Sequence, residues 1–241
     1  LPLVLAISQL TFAGAALAAD VEVYGRGNFS VQQNNFEYLG KTQRDNSEMY
    51  SNASRLGVKG SVPISDDLKA IVKIEYEVFL DDGSDGVNNS GDELSQRNIV
   101  AGLTSKSWGT IQGGKHDTPL KLAADGTDAF NDLTLGDINN YMVGENRENN
   151  IIMYVSPDMG GVTFSLATML GEQAGLDEEI DNSQQEDTGM FDRVSAAVKY
   201  KPNKNIWVAL STDQNVQNAD IIRLNGSWKL VGKIAAVIRW F

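Results

Sequence analysis

The sequence predicts an all-β fold, a transmembrane antiparallel up-and-down β-barrel, and three observations predict it. Apolar and polar residues alternate with period two along most of the chain after residue 20. Short, turn-rich connections alternate with long polar or acidic ones. The apolar faces are spread evenly over the segments, while the opposite faces carry Arg, Lys, Glu and Ser. A soluble sandwich or lectin-like exported domain, the competing reading, would gather its apolar faces into one core. Lipid outside and water inside account for the even spread.

The alternation runs in order from Val21. Val23, Gly25, Gly27, Phe29 and Val31 share one face, with Tyr24, Arg26, Asn28 and Ser30 on the other. Over 55–62, Leu56, Val58 and Val62 oppose Arg55 and Lys59. Ala70, Val72, Ile74, Tyr76 and Val78 then alternate with Lys69, Lys73, Glu75 and Glu77. Val162, Phe164 and Leu166 alternate with Thr163, Ser165 and Ala167, and Val194, Ala196, Val198 and Tyr200 with Arg193, Ser195 and Lys199. Segments 206–212, 221–230 and 234–241 are strand-like too. Four connections are short, at 63–67, 105–109, 157–161 and 202–205, and four are long, at 40–48, 80–94, 116–145 and 171–190. In an up-and-down barrel alternate connections share a rim, so one rim carries turns and the other loops. Strands of about 9–11 tilted residues suffice to span the bilayer.

Composition excludes most catalytic chemistry. The 241 residues include no Cys, so thiolate metal sites, disulfides and cysteine nucleophiles are ruled out. The only histidine, His116, cannot build a multi-histidine metal centre and makes a poor lone base for a barrel protease. The formal charge of -12 argues against nucleic acid as a partner. Two strings imitate other chemistry. Gly109 to Lys115 fits half of a phosphate-binding loop, but His116 stands where Ser or Thr would hold magnesium. Asp81 to Gly86 with Asp92 lacks the ligand pattern of a calcium loop. Asp66 and Asp67 read as turn residues rather than an acid–base pair. No cofactor is expected.

The first residues are expected to be processing rather than fold. Residues 1–19 hold no charge and end in the small-residue triplet Ala16-Leu17-Ala18. This is the apolar region and A-x-A site of a secretory signal. Residues 1–18 are therefore predicted as a partial signal, cleaved between Ala18 and Ala19, and 19–241 as the barrel domain.

Several strings, in this order, resemble the Gram-negative general porins, trimeric sixteen-stranded diffusion barrels. They are Val23-Tyr24-Gly25-Arg26, Ser54-Arg55-Leu56-Gly57-Val58-Lys59-Gly60, Arg97 to Leu103 followed by Trp108-Gly109-Thr110 and Gly114 to Pro119, and Arg147 to Pro157. The resemblance implies that the loop at 116–145 folds inward and narrows the channel. It places a basic wall at Arg26, Arg55, Lys115, Lys59 and Arg147, facing loop acids at Asp125, Asp128, Asp132 and Asp137. The Pro-Glu-Phe-Gly-Gly string of the enterobacterial loop is absent, and Asp128-Ala129-Phe130-Asn131-Asp132 stands in its place.

The resemblance further implies a homotrimer in the outer membrane, contacting lipid and lipopolysaccharide, that passes small hydrophilic solutes and ions by passive diffusion. Opposed charges would orient dipolar solutes, and the acidic balance predicts a mild cation preference. Seven acids and no base fall in 171–190, where screening weakens their effect on the pore. About eleven strands are legible, and sixteen at this spacing need roughly 320 residues, so a C-terminally incomplete barrel is expected. The alternative function is a non-conducting outer-membrane or exported β-protein with a structural or adhesive role.

Overall fold

The computed structural model describes residues 20–38, 41–81, 94–124, 126–133, 136–171, 189–229 and 235–240. The predicted signal, with Ala18 and Ala19, lies outside them. The chain forms β1 (Asp20–Arg26), β2 (Phe29–Tyr38), β3 (Lys41–Ser51), β4 (Arg55–Pro63), β5 (Leu68–Val78), β6 (Leu94–Ser105) and β7 (Gly109–Asp117). A short helix α1 (Pro119–Ala123) and a 3-10 turn (Ile138–Asn140) follow. The remainder is β8 (Arg147–Val155), β9 (Val162–Met169), β10 (Val194–Asn203), β11 (Ile206–Val216), β12 (Ala219–Lys229) and β13 (Ala235–Trp240).

Eleven of these strands form one antiparallel sheet in the order β1-β4-β5-β6-β7-β8-β9-β10-β11-β12-β13. Every neighbour is the next strand in the chain except where the β2–β3 hairpin intervenes. This is the meander of an up-and-down barrel wall. Among the described residues the sheet does not close on itself.

Burial is inverted relative to a soluble sheet. Leu56, Leu210 and Ile222 are 54%, 55% and 71% exposed, whereas Arg223, Asn225 and Asp213 are each 1% exposed. Exposed apolar side chains of β1, β4, β5, β7 and β9 to β12 all lie on the outward face of the alternation. That is the face a bilayer would cover. Among the described residues no helix is long and apolar enough to cross a membrane, which leaves barrel strands unaddressed.

Two expectations about connections are corrected. The segment 40–48, expected as a loop, is mostly strand: β2 and β3 pair from Phe29↔Ser51 to Tyr38↔Lys41 as a hairpin separate from the main sheet. Its sequence is polar at successive positions, such as Gln32 and Gln33. Side-chain bonds, such as the Ser47 hydroxyl donating to Gln33 Oε1 at 2.6 Å, add to the backbone pairing, and the apolar alternation of β1 ends at Val31. The alternation of short and long connections also fails between β11 and β12, whose loop-rim junction is only Gln217-Asn218, both with positive φ. Such a two-residue turn matches strand twist and needs no longer loop.

On the opposite rim the turns carry the expected chemistry. Asp67 accepts from the Ser105 hydroxyl at 2.6 Å and the Lys106 amide at 3.0 Å, so one turn is tied to the next. The Ser105 hydroxyl, and after it Ser107, holds the Asp67 carboxyl below its ordinary pKa.

Candidate functional site: a charged constriction inside the barrel wall

The long connection after β7 turns into the barrel instead of extending from the rim. Thr118 caps α1, its hydroxyl accepting from the Lys121 amide at 3.3 Å, and Pro119 begins the helix without an amide to lose. The helix lies on the inner face of β10 and β11. Ala123 packs on Ala197 and Ala209, flanked by Trp207, and the Leu120 amide donates to the Ser195 hydroxyl at 3.1 Å. Small residues on the wall let the helix approach closely. Next to them Ile151, Met153, Ala167, Met169 and Val216 form a second buried apolar cluster.

Facing this covered arc, β1 and β4 to β6 present charge. Antiparallel register sets Arg26 beside Arg55 and Arg55 beside Glu77. Two arginines side by side repel, and the loop supplies the counter-charge. Asp132 accepts from Arg55 Nη2 at 2.8 Å and from Arg26 in a very short contact, bridging the loop tip to the wall. Asp132 has φ +68°, a left-handed conformation that aspartate tolerates better than most residues. Its amide donates to Asp137 at 2.7 Å. One strand further, Arg97 donates to Glu75 at 3.1 Å and Glu77 at 2.8 Å, and the Tyr24 hydroxyl donates to Glu75 at 2.8 Å. Tyr24 lies flat over Gly57, where a Cβ would sit 2.5 Å from its ring. The loop root is held by Asp117, which pairs with Lys121 at 3.1 Å and Arg147 at 3.0 Å and accepts from Asn98 at 3.0 Å.

Between loop and wall lies a cavity of about 910 Å³, lined by Arg55, Arg97, Lys121 and Arg147 and by Glu77, Asp117, Asp128, Asp132, Asp137 and Glu145. Such a space admits water and small polar solutes and orients dipoles between its two charged sides. Among the described residues no three acidic or histidine side chains cluster as metal ligands.

Arg26, Arg55 and Asp132 are brought into direct contact, and Arg147 lines the cavity at the loop root. Asp128 and Asp137 line it too, but their carboxylates brace the loop. Asp128 accepts from the Phe130 and Ile138 amides, each at 3.1 Å, and Asp137 accepts from the Asn139 amide at 2.7 Å. Lys59 lies apart from this cavity, paired with Glu22 at 3.1 Å, in a recess of about 720 Å³ with Lys73 and His116. Lys115 falls opposite Ile99 and lines neither space, because it continues the outward alternation of Ile111 and Gly113. Asp125 lies outside the described residues. Sequence reasoning did not assign Arg97, Asp117, Lys121, Glu145 or Arg223. The first two stand in strings that carry the resemblance, and Arg223 alternates with Ile222 and Leu224, a signal that was available. The string at 109–115 is extended strand rather than a phosphate cradle. Asp81 accepts from the Ser51 amide at 2.8 Å, and residues 82–93 lie outside the described ones.

Strands apolar outside and charged inside, with an inserted loop facing a basic wall across a charged cavity, define the wall of a transmembrane barrel. The chain matches the Gram-negative porin family model over residues 3–239 and belongs to that family of the outer membrane. It is similar to the outer membrane porin protein 32 of Delftia acidovorans, 28% identical over 167 residues, covering 65% of this chain and 46% of the relative. Its fold is similar to an anion-selective porin from Comamonas acidovorans (TM-score 0.58, 17% identity, 88% of this chain and 64% of that one). It is also similar to OmpF of Salmonella typhi, solved in complex with daunomycin (TM-score 0.60, 18% identity, 91% and 64%). The chain spans about half the length of the curated relatives it matches.

Proposed function

We propose that the full-length protein forms a water-filled outer-membrane channel for passive diffusion of small hydrophilic solutes and ions, and that it performs no catalysis. The charged cavity within a wall whose outward side chains are apolar carries this reading. Solutes would pass between Asp132, Asp128 and Asp137 on the loop side and Arg55, Arg97 and Arg147 on the wall side. The preference is proposed to be mildly cationic. Six carboxylates line the cavity against four basic side chains, so the constriction is far nearer neutrality than the chain. Most of the -12 lies elsewhere, with seven acids in 171–190 alone. The anion selectivity named for one fold neighbour belongs to a chain of 17% identity, and such a likeness bears on fold alone. Export through a signal at 1–18, assembly as a homotrimer, and contact with lipid and lipopolysaccharide complete the proposal.

The test is single-channel recording of the full-length protein in a planar bilayer under a salt gradient. Stepwise openings in threes, with a reversal potential shifted modestly toward the cation value, are expected. A folded, inserted protein that never conducts would replace this reading with a structural or adhesive one, and a reversal toward the anion value would overturn the cation preference.

A further inference from the structure

Arg223 is the bulkiest fully buried side chain among the described residues, at 1% exposure, in a wall where other arginines face water. It points inward from β12, opposite Ser211 in register. Nη1 donates to Glu145 Oε1 and Nη2 to the Val143 carbonyl, both at 2.5 Å. The residue between these two acceptors is Gly144, with φ +97°. A Cβ there would stand 2.7 Å from Leu120 Cδ2, 2.9 Å from Arg223 Nη2 and 3.0 Å from Ile221 Cδ1. Only glycine lets the return limb of the loop wrap this closely around the guanidinium. Arg223 itself does not line the cavity, whereas Glu145 and Ile138 of the limb do.

We infer that Arg223 is a positioning residue that sets the width of the constriction, by locking the return limb Val143–Glu145 to β12. The loop then crosses the barrel as a beam held at two ends. Its tip meets Arg26 and Arg55 through Asp132, and its return limb meets Arg223. The tip contact lies at the cavity, with Arg26 44% exposed, and salt and solutes reach it. The Arg223 contact is far less exposed, the two side chains being 2% and 8% accessible. Releasing the limb would leave a buried guanidinium and the Glu145 carboxylate to find new partners, so the lock favours one loop position. This inference rests on the reading of the chain as a diffusion channel, and its test includes a readout that does not require conduction.

The chain has no cysteine, so paired spin labels at Asn139→Cys on the loop and Gln112→Cys on β7 report the loop's distance from the wall directly. In Arg223→Gln that distance distribution is expected to broaden, and single channels that form are expected to shift to higher conductance with flicker among sublevels. Arg223→Lys, which keeps the charge but not the planar two-donor fork, should fall between wild type and Arg223→Gln. Gly144→Ala attacks the same lock from the loop side with the arginine intact, and should broaden the distribution likewise. It also keeps the inference testable if Arg223→Gln does not fold. A folded Arg223→Gln protein with wild-type distances and conductance would overturn the proposal. Lowered heat resistance with unchanged channels would overturn it too, because it would reduce Arg223 to wall packing. Broadening by Gly144→Ala alone would assign the limb's position to backbone strain and not to the arginine. A wild-type protein that never conducts, with distances still broadened in Arg223→Gln, would sink the channel reading while leaving the lock standing.

Discussion

The two inner arcs of this wall are built from the same alternation yet differ in chemistry. From β1 and β4 to β6, the inward positions hold Arg26, Arg55, Glu75, Glu77 and Arg97, and a cavity faces them. From β8 to β11 the inward positions hold Ile151, Met153, Ala167, Ala197 and Ala209, and α1 or neighbouring side chains cover them. Inward positions of the covered arc are thus mostly apolar, and the polar ones among them, Ser195, Ser211 and Asp213, are buried with them. Where a loop lies on the wall, the inside becomes a small core and obeys ordinary packing rules. The outer faces of the two arcs, by contrast, are alike.

The largest expected effect tests that likeness. Leu56→Arg on the charged arc and Leu210→Arg on the covered arc should each cost about 2–4 kcal/mol if they lie near the bilayer midplane. Denaturant titration of folding into lipid vesicles would measure it, and a neutral result at either position would place that arc outside the membrane. Next, Ala209→Leu overpacks the seat of α1 and should cost about 1–3 kcal/mol. The same titration reads it, and conductance should change with it because the loop root moves. The same-sized change at inward Gln112, which lines the open recess, should cost less.

Smaller effects sharpen the charged arc. Asp132→Asn leaves Arg26 and Arg55 facing each other without their shared acid, so the reversal potential is expected to move toward anions. Arg97→Gln leaves Glu75 and Glu77 without that partner and should move it toward cations. Equal shifts of the same sign would show that neither group senses the permeating ions. The Asp67 tie depends on pH in a definite direction. A carboxyl held below its usual value, about 3.9, contributes stability that is present above that value and lost as pH falls through the depressed one. Hydrogen exchange at the Lys106 amide should therefore lose protection only in strong acid, and Asp67→Asn should abolish that pH dependence. The smallest effect is expected for Lys59→Gln. Its pair with Glu22 is more than half exposed on both sides, and such pairs contribute about 0–1 kcal/mol.

Period two, the asymmetry of the rims and the even spread of apolar faces were enough to read the eleven-stranded wall, because each rests on local alternation. The β2–β3 hairpin was legible only in part: Phe29 and Val31 continue the alternation of β1, but the polar run at 32–35 breaks it and 40–48 carries no apolar period. Arg26, Arg55 and Asp132 could be picked from strings in their order along the chain. Lys115 shares the face of Ile111 by simple alternation, which sets it on the outward side and away from the cavity that the resemblance assigned it to.

The sequence by itself thus determined which segments are strands, which face of each is apolar, and that the connection after β7 carries the acids, all properties of neighbouring residues. Only the tertiary structure decided where that connection lies. Its course depends on Ala197 and Ala209 making room for α1, on Gly144 making room for Arg223, and on Asp132 reaching two arginines 106 and 77 residues away. Pairings over such separations are selected by packing and charge in the space between the wall and its inserted loop, and no local pattern encodes them.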